Sequence, residues 1–118
     1  MPPMQARSLT IEEVPVLENG PHIFRLSGPL ILTTMAEFQV KVRAVQSHHL
    51  IFDFTNVPYV DSAGIGALVG IYVRHQRDEK GVSLVGINDR VRASLELTHI
   101  EHFFRFFDSL GEAEAKCA

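Results

Sequence analysis

The residues of this chain best suited to chemistry are Asp61-Ser62-Ala63-Gly64, which follow a short turn and stand where a helix begins. A serine in that place has three uses. It can cap the helix, because its oxygen accepts a bond from one of the first-turn amides that lack an intrahelical partner. It can be a nucleophile, but the elbow that displays a catalytic serine carries glycine two residues before it and two after. Gly64 is present, whereas Val60 holds the other place. A base and an orienting acid are also required, and no local pattern selects one of the six histidines. The third use is as a phosphate acceptor. A phosphate on Ser62 gains from the free amides and the dipole of the helix end. It also stands beside Asp61, and the two like charges make a strongly negative patch that repels a docked partner.

The helix that Ser62 opens, expected from about Ser62 to Asp78, has two sides. At about 100° per residue, Ile65, Leu68, Val69 and Tyr72 share a core-facing side. Ala63, Gly66, Ala67 and Gly70 gather on a neighbouring stripe with Ser62 at its edge. Glycine inside a helix costs about 1 kcal/mol relative to alanine, so two on one stripe need a reason. Either another element of the chain packs very closely there, or a partner protein lays its backbone against it.

The elements that must position this turn can be read from periodicity. Ser8 to Val14 alternates polar and apolar, as a strand with one wet face does. Asn19-Gly20 signals a turn, and Pro21 to Ser27 reads as the second strand of a hairpin. Thr34-Met35-Ala36-Glu37 has the capping-box pattern, and Met35, Phe38, Val42 and Val45 continue at helical spacing, so a helix is expected over about 34–46. Leu50 to Phe54 is a short apolar run suited to a central strand covered on both faces. After the Ser62 helix come a strand over 82–87, a helix near 89–98 opened by Asn88-Asp89, an aromatic strand over 102–107 and a last helix over about 109–116. The order is β-β-α-β-α-β-α-β-α. It predicts an α/β domain with a mixed, mainly parallel sheet, an N-terminal antiparallel hairpin and about four helices. Residues 1–7 read as a flexible leader and 8–117 as the domain.

Composition narrows the function. With 118 residues, 46% of them hydrophobic, the chain suits one domain with a real core. A net charge of −3 gives no basic excess for nucleic acid. No apolar run approaches the ~20 residues that span a bilayer, the N-terminus lacks a signal-peptide pattern, and the single Cys117 cannot form an internal disulfide. A cytoplasmic protein is expected.

Phe52-Asp53-Phe54, followed by Val57-Pro58-Tyr59-Val60-Asp61-Ser62-Ala63-Gly64-Ile65-Gly66-Ala67-Leu68, resembles the signature of STAS domains, most of all the free-standing bacterial anti-sigma factor antagonists. The likeness continues through Leu26-Ser27-Gly28-Pro29-Leu30 upstream and Val82 to Gly86 and Val91 to Leu97 downstream. What this resemblance implies is a partner switch, not an enzyme. The unphosphorylated antagonist would bind an anti-sigma factor that is also a serine kinase, and so release a sigma factor. The kinase would use its own ATP to phosphorylate Ser62, the complex would part, and a serine phosphatase would reset it. Asp61, Ser62, Ala63, Gly64, Gly66 and Gly70 fall in the region of the partner interface. No cofactor, metal, nucleic acid or membrane insertion is expected of this chain, which would be a monomer or weak dimer.

Two places depart from the family pattern. Ile31 stands where members often carry an acid after the Gly-x-Leu step, and His99-Ile100 replaces the usual glycine before an apolar residue. The first favours an alternative role, an adaptor STAS domain of a sensory complex or of a lipid or anion transporter system, with no anti-sigma kinase acting on it. The second would put a non-glycine residue at a left-handed helix end, if that conformation is kept, with a strain of about 1 kcal/mol. The remaining candidates have plainer readings. His48-His49 is a poor chelate because adjacent strand residues face opposite sides. Phe103, Phe104, Phe106 and Phe107 read mainly as core.

Overall fold

The computed structural model describes residues 8–14, 20–45, 47, 49–77 and 81–117. The predicted leader, the Asn19 half of the first turn, His48 and Asp78 lie outside these residues. The nine main elements come in the predicted order: β1 (Thr10–Val14), β2 (His22–Ser27), α1 (Met35–Arg43), β3 (His49–Asn56), α2 (Ser62–Arg77), β4 (Gly81–Val85), α3 (Asp89–Leu97), β5 (Arg105–Phe107) and α4 (Leu110–Cys117). The strands form one sheet in the spatial order β1-β2-β3-β4-β5. The β1–β2 pair is antiparallel and the other three pairs are parallel.

The sheet has two unequal faces. Phe24, Leu26, Leu50, Phe52, Phe54 and Leu84 point to the side where Phe38 and Val42 of α1, Leu68 and Ile71 of α2, and Val91 and Leu95 of α3 complete the main core. Burying each such side chain contributes about 1.5–3 kcal/mol, which fixes the helices over the sheet. On the other face a smaller cluster of Ile23, Ile51 and Val85 meets Ala113 of α4. Val14, Phe107 and Leu110 pack against it, and the same face carries a polar patch. Asp53, 8% exposed, accepts bonds from the Thr55 amide (3.0 Å) and hydroxyl (2.6 Å), and Arg25 lies between it (3.6 Å) and Glu12 (3.4 Å).

Three local expectations are corrected. The aromatic strand over 102–107 is two pieces, a 3-10 turn at Glu101–Phe103 and a three-residue strand. The break lets Phe104 enter the main core, while Phe103 stacks flat on Tyr72 at 4.3 Å and Phe107 packs toward α4. Thr34 occupies the N-cap place of α1 but its hydroxyl makes no capping bond. It turns back instead, accepting from the Ile31 amide (2.9 Å) and donating to the Pro29 carbonyl (2.9 Å). Those backbone groups are buried in the loop and would otherwise lack partners. The first helix also stops at Arg43, short of the expected 46.

The end of α3 is as expected. His99 has φ 59°, and its neighbours close the helix with bonds from the His99 amide to Glu96 O (3.1 Å) and from the Ile100 amide to Leu95 O (3.0 Å). This is a Schellman closure with histidine where glycine is favoured. Ile100 and Leu95, both buried in the main core, hold it in place.

Candidate functional site

The site forms where β3 leaves the sheet. The Val57 amide bonds back to Phe54 O at 2.9 Å and turns the chain outward. Val60 then forms a lone parallel bridge with Leu30, closed by bonds from Leu30 N to Tyr59 O (3.2 Å) and from Asp61 N to Leu30 O (3.3 Å). Two loops that are distant in sequence are thereby joined into one platform beyond the sheet.

Asp61 ties this platform to α2. One carboxylate oxygen accepts the Gly64 amide at 2.9 Å, and the other accepts the Leu32 amide at 3.0 Å. The Asp61 carbonyl takes the first helical bond, from Ile65 N at 2.9 Å. Asp61 is therefore the helix cap, and the capping use open to Ser62 goes to its neighbour. The physical reason is a one-residue shift. Ser62 is already the first helical residue, so a cap oxygen must come from the residue before it. The Ser62 side chain is exposed and has no hydrogen-bond partner among the described residues. The first turn of α2 holds no acid of its own, so the helix end presents partial positive charge beside the free hydroxyl.

The small residues of α2 divide into two sets. Gly64 is buried, and a Cβ there would collide with the carbonyl oxygen of Leu30. Only glycine lets the helix sit this close to the loop backbone. Ala67 is likewise buried, at 1% exposure. Gly66 and Gly70 are exposed, and a Cβ at either would meet nothing within 4 Å. Close packing within the described chain thus accounts for Gly64 and not for Gly66 or Gly70. Ser62, Gly66, Gly70 and Val73 lie along one exposed flank at helical spacing, with Ala63 half-buried at its border.

Ile31, the place expected from the family pattern to hold an acid, is an apolar side chain only 5% exposed. Its neighbour Leu32 is 70% exposed instead, held at the helix end through its amide bond to Asp61. Sequence reasoning missed Leu32, for a leucine ending an apolar run gives no sign that it faces outward. It also missed the second duty of Asn88. That side chain caps α3 through the Val91 amide (2.8 Å) and donates to the Val57 and Pro58 carbonyls (3.3 and 3.1 Å). The Arg90 guanidinium lies 4.5 Å over the Tyr59 ring. The turn before Ser62 is thus held from both sides, by Asp61 and by the start of α3. Among the described residues no cluster of three metal-ligating side chains exists, and no helix is long and apolar enough to cross a membrane.

A mixed five-stranded sheet covered by helices thus displays one exposed hydroxyl at a helix end. Residues 13–113 match the STAS domain family, and the chain belongs to it. It is 28% identical over 86 residues to an anti-sigma-B factor antagonist of Listeria monocytogenes, covering 73% of this chain and 72% of that one. Its fold is similar to the crystal structure of an anti-sigma factor antagonist from Mycobacterium paratuberculosis, with a TM-score of 0.81, 20% identity, and coverage of 92% and 93%. A sulfate transporter family protein from Wolinella succinogenes shares the fold with a TM-score of 0.76, 20% identity, and coverage of 87% and 88%.

Proposed function

We propose that this chain is an anti-sigma factor antagonist that works as a phospho-switched binding module. The unphosphorylated form binds an anti-sigma factor that is also a serine kinase, and the sigma factor held by that kinase is released. The observation that carries this reading is the exposed, unpartnered Ser62 hydroxyl at the head of the open Gly66–Gly70 flank. Leu32 adds an apolar anchor at the same end. The relative's name supports the same role.

The switch is electrostatic. The partner transfers the γ-phosphoryl group of its ATP to the Ser62 oxygen, ADP leaves, and the hydroxyl proton passes to a base of the kinase. The new group carries about −1.5 to −2 charges at neutral pH and stands next to the Asp61 carboxylate. Closing a partner over both would remove several like charges from water, which costs several kcal/mol per unpaired ion. The complex parts, and a serine phosphatase restores the hydroxyl. Nucleotide and catalytic groups belong to the partner. This chain, acting in the cytoplasm as a monomer or weak dimer, is substrate and ligand and needs no cofactor.

The test is incubation with each anti-sigma kinase of the source genome and ATP, followed by mass spectrometry and binding measurements. Phosphate is expected on Ser62 alone. Ser62→Asp is expected to weaken binding about tenfold or more, in line with an unpaired interfacial charge, while Ser62→Ala binds whether or not ATP is present. Phosphate elsewhere, or none, overturns the reading. Stable co-purification with a membrane transporter and no kinase-dependent phosphate would assign the adaptor role instead.

A further inference from the structure

The helices α1 and α2 lie side by side and leave an open groove of about 360 Å³ between them. Its walls are largely apolar, with Ala67, Gly70, Ile71 and Val73 from α2, and among the described residues its charged lining is Arg43 of α1 and Arg74 of α2. Their contacts set these two arginines apart among the described residues. Arg25 is paired with Glu12 and Asp53. Arg90, Arg92 and Arg105 lie over the rings of Tyr59, Phe106 and Phe107. Arg43 and Arg74 are exposed and have neither an ion pair nor a ring contact among the described residues. In a chain of net charge −3, these two guanidiniums, unpaired among the described residues, sit on one apolar groove.

We propose that this groove receives an acidic, amphipathic segment of the anti-sigma partner. An aliphatic side chain of that segment enters between the helices over Ile71 and Val73, and carboxylates on either side pair with Arg43 and Arg74. Guanidinium suits this task because its planar donors grip a carboxylate in two places. Gly70 and Val73 also belong to the exposed flank that starts at Ser62. At 1.5 Å per residue the groove lies roughly 12–16 Å along the helix from the serine. One acidic partner surface therefore meets both ends of the flank. The groove attracts it, and a phosphate on Ser62 repels it, so the same complementarity that selects the partner makes the switch effective.

This inference rests on the proposed antagonist role, and the experiment separates the two. The anti-sigma kinase that phosphorylates Ser62 is titrated against the wild-type chain, Ser62→Asp, the double variant Arg43→Glu/Arg74→Glu and the double variant Arg43→Lys/Arg74→Lys. Both arginines are exposed, so folding should be unchanged, and thermal melts check it. The glutamate pair is expected to lose about tenfold or more in affinity, and the lysine pair to lose less. Raising salt from about 50 to 300 mM should weaken the wild-type complex and strengthen that of the glutamate pair, because salt screens the attraction in the first and the like-charge repulsion in the second. Replacing the carboxylates of the partner segment by arginine should restore binding to the glutamate pair. If the glutamate pair binds like wild type while Ser62→Asp is released, the groove proposal is overturned and the role of Ser62 stands. If no anti-sigma kinase binds the wild-type chain, both readings fall.

Discussion

The buried flank of α2 around Gly64 and its open flank along Gly66 and Gly70 use one residue type under opposite constraints. Gly64 is glycine because the Leu30 carbonyl leaves no room for a side chain. Gly66, two residues on, is glycine although a Cβ there would meet nothing within 4 Å among the described residues. An unneeded helical glycine lowers stability, and packing among the described residues does not explain the open pair. The proposed partner would. The buried flank is architecture, made of hydrogen bonds from Asp61, the Leu30–Val60 bridge and close backbone contact. The open flank is bare surface, which the proposed function assigns to a partner's backbone.

Substitutions along α2 can break this contrast. The largest effect is expected for Gly64→Ala, where the methyl group must displace a hydrogen-bonded backbone carbonyl. A loss of about 3 kcal/mol, at the upper end for overpacking, should appear as a lower urea midpoint. An unchanged midpoint would show that the loop gives way freely. Next comes Asp61→Ala, which removes the acceptor for both the Gly64 and Leu32 amides. A loss of about 1–2 kcal/mol is expected from the cap. Amide exchange at Leu32 should quicken with it, and protection left intact there would mean the loop does not depend on Asp61. The smallest change in stability, with opposite sign, belongs to Gly66→Ala and Gly70→Ala. Each should gain up to about 1 kcal/mol, as glycine-to-alanine changes in open helical positions do, while affinity for the anti-sigma kinase falls. Variants that are more stable and bind equally well would remove the reason for an open flank.

Much of the architecture was legible because it rests on periodic signals. The alternation in β1, the apolar run of β3 and the helical spacing of Phe38 and Val42 each report how one element meets the core. The left-handed end at His99 was raised by the family pattern alone, since a histidine carries no local signal for positive φ. The miss at Thr34 has the same kind of cause seen from the other side. The capping-box pattern was present, yet the hydroxyl went to buried loop groups at Pro29 and Ile31. The split of the aromatic segment was invisible because four phenylalanines in five positions carry no period.

The sequence by itself determined the class of fold, the strand–turn–helix that carries Ser62, and the presence of a small-residue stripe beside it. These are local matters of period, propensity and spacing. The tertiary structure decided which carboxylate caps α2, that Leu32 faces out while Ile31 is buried, and which glycines the fold requires. It also brought Arg43 and Arg74 together on one groove. Each of those depends on the approach of segments far apart in the chain, Leu30 to Gly64 and α1 to α2, and no local pattern encodes the distance between them.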